Sequence, residues 1–524
     1  MIAYSLGFLS LGYIFKDNNS SEDYFLGGRS MGWFPLSLST MATQLSAISF
    51  ISAPAFVGMR EGGGMQWLTY ELAVPLAMIF IMVVLIPNLY KSGIVSVYEY
   101  LEKRFNASTR LLISTVFQIS RSFATGVMVY ALALIIQAVV KIPFWQTILI
   151  IGVITLIYSY QGGMKAVIWG DVIQMIILFG GIIICLIYGL KELGGWSVFM
   201  DKVDVERTVA IDFSSFGFQG DGFGFWPMLV GGFFLYVSYY ATDQTQSQRL
   251  LSAKDMPTVR QLLTVNGLLR FPVTLIYCIM GLVLGTLLVQ DASFQQAITD
   301  TFSQSGGSLK SSTDLLVPIF ITKYLPHGII GVLLVAILSA AMSTLSSAIN
   351  SLSAVSMEDH VTRFKKNLTD KEYVRYSQLT SVFWGIVCLL LAFVAGGIAD
   401  TVIEAINKVG SAFYGPILGA FTLAMLSKRT QALDVNIGII VGVLFNFYLW
   451  IFVPEVFWFW WNAIGGILTI TIGVVMGYIR NAPAKGETIS LTDLNFNTWH
   501  TYALIGFFGL IILVSVMLPG WFGA

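Results

Sequence analysis

Apolar stretches of about 20 residues recur along the whole chain, separated by short polar segments. A helical stretch of that length crosses a hydrocarbon core roughly 30 Å thick. Hydrocarbon offers no partner to a free N–H or C=O, so each stretch must satisfy its own backbone as a helix. Composition agrees: 56% of the 524 residues are hydrophobic and only 11% are charged. That is too little charge to cover a soluble protein of this size. The expected fold class is an all-α polytopic membrane protein, with the lipid bilayer as its solvent. A net charge of zero gives no reason to expect a nucleic-acid partner. Cys185, Cys278 and Cys388 all lie in apolar segments, with neither a disulfide framework nor metal-ligand spacing.

The apolar windows predict about 14 transmembrane helices, near residues 1–15, 34–59, 66–90, 110–140, 143–160, 165–191, 223–248, 262–290, 327–357, 373–397, 403–427, 433–453, 457–478 and 499–521. Met1–Phe15 lacks a basic leading region and a small-residue cleavage site, so it reads as a short first helix rather than a removed signal peptide. Most Lys and Arg fall in one set of loops, among them Lys91, Lys103, Arg104, Arg249, Lys254, Arg363, Lys366, Lys428 and Arg429. The opposite set holds Arg60, Lys141, Lys191, Lys202, Arg207, Lys310 and Lys323. The richer set is expected to be cytoplasmic, which puts both termini outside. The two longest outer loops, about 192–222 and 291–326, are polar and are expected to be external, with little structure or short surface helices.

Several residues are polar where lipid should be. Glu71, Arg121, Asp171, Asp243, Arg270, Glu404 and Lys408 sit in apolar windows. Intramembrane ionisable groups usually face a bundle interior or a water cavity. Asp171 and Arg270 are expected near the cytoplasmic ends of their helices, within reach of water. STMATQLSAISFISAPAF has a polar centre followed by Pro54, and LYVSYYATDQTQSQR loses its apolar character before its end. Both read as broken helices, whose freed backbone groups are tolerated only where they line a cavity. Each would open a five-helix block, 34–191 and 223–427. AAMSTLSSAINS, at 340–351, places Ser343 on one helix face with Ser346 and Ser347, and Thr344 beside Ser347. Hydroxyls at that density suit a weakly held monovalent cation. They equally suit close helix packing.

SSEDYFLGGRSMGWFPLSLSTMATQLSAISF, VYEYLEKRFN, YSYQGGMKAVIWGDVIQ, QRLLSAK and AAMSTLSSAINS together resemble the sodium/solute symporter family. That family includes the sodium/glucose and sodium/sialic acid cotransporters, and the chain looks closest to the bacterial sodium/sialic acid members. The resemblance implies a LeuT-like fold of two inverted five-helix repeats. Its implied boundaries are an N-terminal extra helix and linker at 1–33, the first repeat at 34–191, an external loop at 192–222, the inverted repeat at 223–427 and extra helices at 428–524. It implies Na+ as the coupled ion, one or two per cycle. A first sodium site then falls on the backbone of Ala42 and Leu45, the carbonyl of Ala340 and the hydroxyls of Ser343 and Thr344. A second would use Asp171, Ser343, Ser346 and Ser347.

The resemblance also implies a substrate pocket. Glu71 matches the position of a carboxylate that sugar transporters aim at hydroxyls. Arg121 matches an arginine that faces a substrate carboxylate in the sialic acid members, where a guanidinium fork makes a bidentate, charge-assisted pair. Ser46, Ser49 and Gln44 lie near the first helix break, and Asp243 near the second. Tyr70 stands where those members carry a glutamine, a departure from the pattern. Glu71 and Arg121 either meet substrate or pair with each other. The function expected is sodium-driven import of a small polar solute, best matched by sialic acid or a similar sugar acid. A neutral sugar, a monocarboxylate, an amino acid or a vitamin are the alternatives, and a transporter-like solute sensor is the alternative class. No enzymatic reaction is expected, since His327, His360 and His500 are scattered. The chain is expected to be a monomer in the cell membrane.

Overall fold

In the computed structural model of the chain, all residues are described except 1–6, 8–9, 17–19, 46, 221, 305–310, 395–401, 484–487, 490–493 and 524. The described residues are almost entirely helical, and their only extended pairing is an isolated bridge between Met31 and Ala253. The elements that build the site are α1 (Trp33–Gln44), α2 (Ala47–Gly58), α3 (Met65–Lys91), α4 (Ala107–Val140), α5 (Phe144–Leu193), α6 (Gly232–Ala241), α7 (Gln244–Leu251), α8 (Met256–Gln290) and α9 (His327–Val355). They continue as α10 (Asp370–Val394), α11 (Val402–Leu426), α12 (Ala432–Phe452), α13 (Trp458–Ile479) and α14 (Trp499–Trp521).

Among the described residues, ten helices are long and apolar enough to cross a membrane, and the bent pair α1–α2 makes an eleventh. The expected count of fourteen is therefore not established, for three separate reasons. The 1–15 window lies mostly outside the described residues. The 143–160 window forms the short apolar helix Phe144–Ile157, joined to the next span through Gly163, whose φ of 52° breaks the helical run inside α5. The 223–248 window is divided, so its apolar half, Pro227–Ala241, is too short alone. The loops at 192–222 and 291–326 do hold short helices, though not all of them lie on the surface. Trp196–Lys202, Ala292–Gln304 and Leu316–Tyr324 are helices, and Leu316–Ile321 is buried.

Packing draws the two broken helices and α9 together. α9 runs along α5 and touches both α1 and α2, while α7 packs on α1 and α9. α2 crosses α8 closely enough that a Cβ on Gly58 would come within 2.2 Å of the Gly281 carbonyl oxygen, and one on Gly285 within 2.3 Å of the Gly58 carbonyl oxygen. Small residues let membrane helices approach backbone to backbone, where dispersion and polar contacts replace the hydrophobic drive that lipid removes. α11 leans on α6 and α13, which ties the second broken helix to the C-terminal helices.

Ion pairs clasp both ends of this bundle. Arg60, just after α2, holds Glu404 of α11 at 2.9 Å. At the opposite end Arg110 holds Asp359 at 2.6 Å and Glu102 at 2.8 Å, and Arg363 also reaches Glu102. Asp359 is fully buried and takes a further bond from Ser96 Oγ at 2.9 Å.

Candidate functional site

Both helix breaks fall at mid-bundle, and local chemistry explains each. α1 ends at Leu45, whose ψ of 69° leaves the helical region while its N–H still bonds the Met41 carbonyl at 2.7 Å. The chain resumes as α2 at an angle of 54°. Ser49 Oγ donates to the Gln44 carbonyl at 3.3 Å, giving one freed acceptor a side-chain partner. The second break comes at Thr242, and Asp243 then caps α7 by accepting the Thr245 N–H at 2.8 Å. An Asp is a preferred N-cap because its carboxylate satisfies an orphan donor and suits the positive helix end.

A cavity of about 110 Å3 lies between the breaks, walled by Thr43, Gln44, Leu45 and Ser49 from the first and by Thr344 from α9. Tyr70, Glu71, Arg121, Arg270, Asn407 and Tyr414 are among the other polar residues of its lining. Tyr70 donates to Asn407 Oδ1 at 2.7 Å and stacks on Trp67, with ring centroids 5.2 Å apart. Tyr240 donates to Gln44 Oε1 at 2.8 Å. Ser46 lies outside the described residues.

Three buried ion pairs surround this space, and none is the Glu71–Arg121 pair considered above. Glu71 is gripped by both arms of Arg270, at 2.6 and 2.5 Å, and also accepts from Thr274 at 3.1 Å. Arg121 donates through Nη2 to Asp243 and lies 3.4 Å from the Tyr414 hydroxyl. Its Nε is buried with no hydrogen-bond partner among the described residues. Asp171 takes Arg249 Nη2 at 2.7 Å, Ser39 Oγ at 2.5 Å and the Ser343 hydroxyl. Asp171 and Arg270 are only 1% and 2% exposed, so the expectation that they reach water is corrected. Their helices run on past them, and α5 and α8 pack both residues against neighbours.

The hydroxyl stretch of α9 faces inward, as its spacing allowed. Ser346 Oγ donates to the Ser343 carbonyl at 2.9 Å, and Thr344 Oγ1 to the Ala340 carbonyl at 3.2 Å. Ser347 accepts from Arg249 Nη2 at 2.6 Å. Arg249, read above as a loop residue, is a correction: it is 1% exposed and also donates to Ser39 Oγ at 2.7 Å and the Thr245 carbonyl at 2.5 Å. Sequence reading missed it because the predicted 223–248 window stops one residue short of it. Yet all eight residues of α7, QTQSQRLL, are buried. A hydrophilic helix within the span of an apolar one was the available signal. Gln246 Oε1, Thr40 Oγ1, Ser37 Oγ and Asn266 Oδ1 are buried around it without a partner among the described residues. Unsatisfied groups at that density suit a passage that fills with water when the bundle opens.

Residues 24–442 match the model of the sodium:solute symporter family. A sodium-coupled monocarboxylate transporter 1 from Xenopus laevis is 30% identical over 438 residues, covering 82% of this chain and 67% of that protein. Among solved structures, a substrate-bound, outward-open Na+-coupled sialic acid symporter is 26% identical with a TM-score of 0.80, covering 92% of this chain and 98% of the other. A nucleobase-cation-symport-1 family transporter in a closed conformation, 14% identical with a TM-score of 0.54, shares the fold, covering 90% of this chain and 97% of its own. The architecture is thus that of the LeuT-like transporters, and the family and matched relatives are transporters rather than enzymes. This chain belongs to the sodium:solute symporter family, multi-pass membrane proteins in which sodium is the ion coupled to solute transport.

Proposed function

We propose that this chain carries a small carboxylate-bearing solute inward together with sodium. One observation carries the reading: Arg121 lines the cavity, its Nη2 turned to a carboxylate and its buried Nε without a hydrogen-bond partner among the described residues. A buried cationic donor left open is costly, and a substrate carboxylate supplies the missing acceptor in charge-assisted form. The other lining charges, Glu71 and Arg270, cancel each other. An anion therefore enters a site with no net charge to hold it, and a sodium ion close by offsets its charge in a low-dielectric interior. Sodium and solute then stabilise the same state and raise each other's affinity by an equal factor.

The cavity of about 110 Å3 compares with an engineered apolar cavity of about 150 Å3 that accepts benzene. It fits a short monocarboxylate, the class named for the Xenopus relative. A second reading, a sugar acid such as sialic acid, is favoured by the likeness to the sialic acid symporter structure. It requires the Trp67–Tyr70 and Tyr414 walls to move outward. Glu71 serves sugar hydroxyls poorly, since Arg270 and Thr274 already engage both its oxygens.

For sodium, the first donor set is the better fit. The Leu45 carbonyl follows a non-helical turn, and Thr344 lines the same cavity as Leu45. Carbonyls of Ala42, Leu45 and Ala340 with hydroxyls of Ser343 and Thr344 make a neutral oxygen cage suited to a monovalent ion. The second set, Asp171, Ser343, Ser346 and Ser347, is arranged around the Arg249 guanidinium. It can take sodium only if Arg249 turns away. On this reading the two broken helices head the repeats 34–191 and 223–427, the Lys/Arg-rich loops face the cytoplasm of a cell membrane, both termini lie outside and the monomer is the working unit.

The test is uptake by proteoliposomes of pyruvate, sialic acid, glucose and proline, with and without a sodium gradient. Sodium-dependent pyruvate entry is expected. Entry of glucose alone sinks the carboxylate reading. Thr344→Ala removes an oxygen that, among the described residues, bonds only to its own helix. It should raise half-saturating sodium about tenfold, equivalent to about 1.4 kcal/mol. Solute KM at saturating sodium should hardly change. An unchanged sodium dependence would discard the first site.

A further inference from the structure

A second cavity, apart from the solute site, lies at the C-terminal ends of α11 and α13. It holds about 710 Å3, within the range of about 300–1,000 Å3 common for ligand pockets. Ile470 and Val474 on α13 and Leu426 on α11 form an apolar wall. Lys428 and Arg429, in the short loop after α11, stand over it. Both are exposed, and neither forms an ion pair among the described residues. Arg429 is steadied at the mouth by the Tyr478 ring, 5.0 Å from its guanidinium carbon. The surface beside the cavity is apolar and open: Val475 and Ile479 are 47% and 74% exposed.

The occupant follows from this layout. α11 and α13 both end here, so the cavity sits at the depth where chains give way to headgroups. Two helix C-termini contribute roughly half a negative charge each, which two full cations outweigh. No Asp or Glu is among the described residues that line the cavity. A ligand must therefore be apolar along one side and anionic at the other end. We propose that this cavity binds one anionic phospholipid, its phosphate on Lys428 and Arg429 and its upper chain along Leu426, Ile470 and Val474. Juxtamembrane cations are attracted to anionic lipid surfaces by about 1 kcal/mol each, and a walled cavity turns that general attraction into a discrete site. Nothing in this inference depends on which solute is carried.

The whole protein in detergent is titrated with phosphatidylglycerol, or with phosphatidylcholine of the same chains, and followed by native mass spectrometry. One retained phosphatidylglycerol per chain is expected, under activation that strips phosphatidylcholine. The double variant Lys428→Gln/Arg429→Gln should reduce that retention about tenfold, or about 1.4 kcal/mol. The double variant Lys366→Gln/Lys371→Gln, the same charge change on exposed lysines elsewhere, should leave it intact. Equal retention of the two lipids overturns the proposal without recourse to any variant. Equal loss in both variants reduces it to general charge attraction, and displacement by millimolar inorganic phosphate would reassign the site to a soluble anion.

Discussion

Arg121→Gln should abolish measurable sodium-driven uptake of an acidic solute. The substitution deletes a cavity-lining guanidinium, and losing one side of a buried, hydrogen-bonded charge pair costs about 2–5 kcal/mol. That corresponds to a loss of roughly thirtyfold to several thousandfold in affinity. The same change strands Asp243, 5% exposed, so poor folding could mimic lost transport. Two further variants separate these effects. Arg121→Gln/Asp243→Asn removes both charges and should recover expression and thermal stability without recovering uptake. Asp243→Asn alone keeps the Thr245 cap through its side-chain oxygen and frees Arg121, so acidic solute should bind as well as before or better. Full uptake of pyruvate or sialic acid by the well-folded double variant would remove Arg121 from the recognition site.

Breaking the Glu71–Arg270 pair should do its damage to the fold. Both partners are almost wholly buried, at 1% and 2% exposure, and their two parallel bonds are 2.5–2.6 Å long. Removing one partner of such a pair leaves an uncompensated charge and costs about 3–5 kcal/mol. Glu71→Leu or Arg270→Met alone should therefore lower the unfolding temperature in detergent sharply and reduce the yield of monodisperse protein. The double variant Glu71→Leu/Arg270→Met should recover much of that loss, because well-packed apolar residues can replace a buried pair at little net cost. If Glu71→Leu alone folds as well as the native chain while losing solute affinity, then Glu71 is a solute ligand rather than a strut.

Where sequence reading succeeded, the information was local. The polar centre of STMATQLSAISF and the ATDQTQSQR stretch sit inside apolar spans, and the chain breaks at Leu45 and at Thr242. The hydroxyls of AAMSTLSSAINS fall on an inward face because spacing on a helix fixes which side chains share it. Where it failed, the information was distant. Arg249 looked like a loop cation because nothing near it in sequence says that Asp171, 78 residues earlier, is its partner. The count of fourteen spans is not established in part for a related reason, since a divided helix no longer carries one continuous apolar run.

The amino-acid sequence by itself determined that this chain lives in a bilayer, that it is helical, where its helices break and which family's motifs it carries. Each of these follows from the period and composition of a few adjacent residues, since hydrocarbon forces the backbone to satisfy itself within each segment. Only the tertiary structure decided which buried charge faces which: Glu71 with Arg270 across 199 residues, and Arg121 with Asp243 across 122. Those choices depend on how helices far apart in the chain cross. An intramembrane charge must find a partner somewhere, and crossing geometry selects that partner.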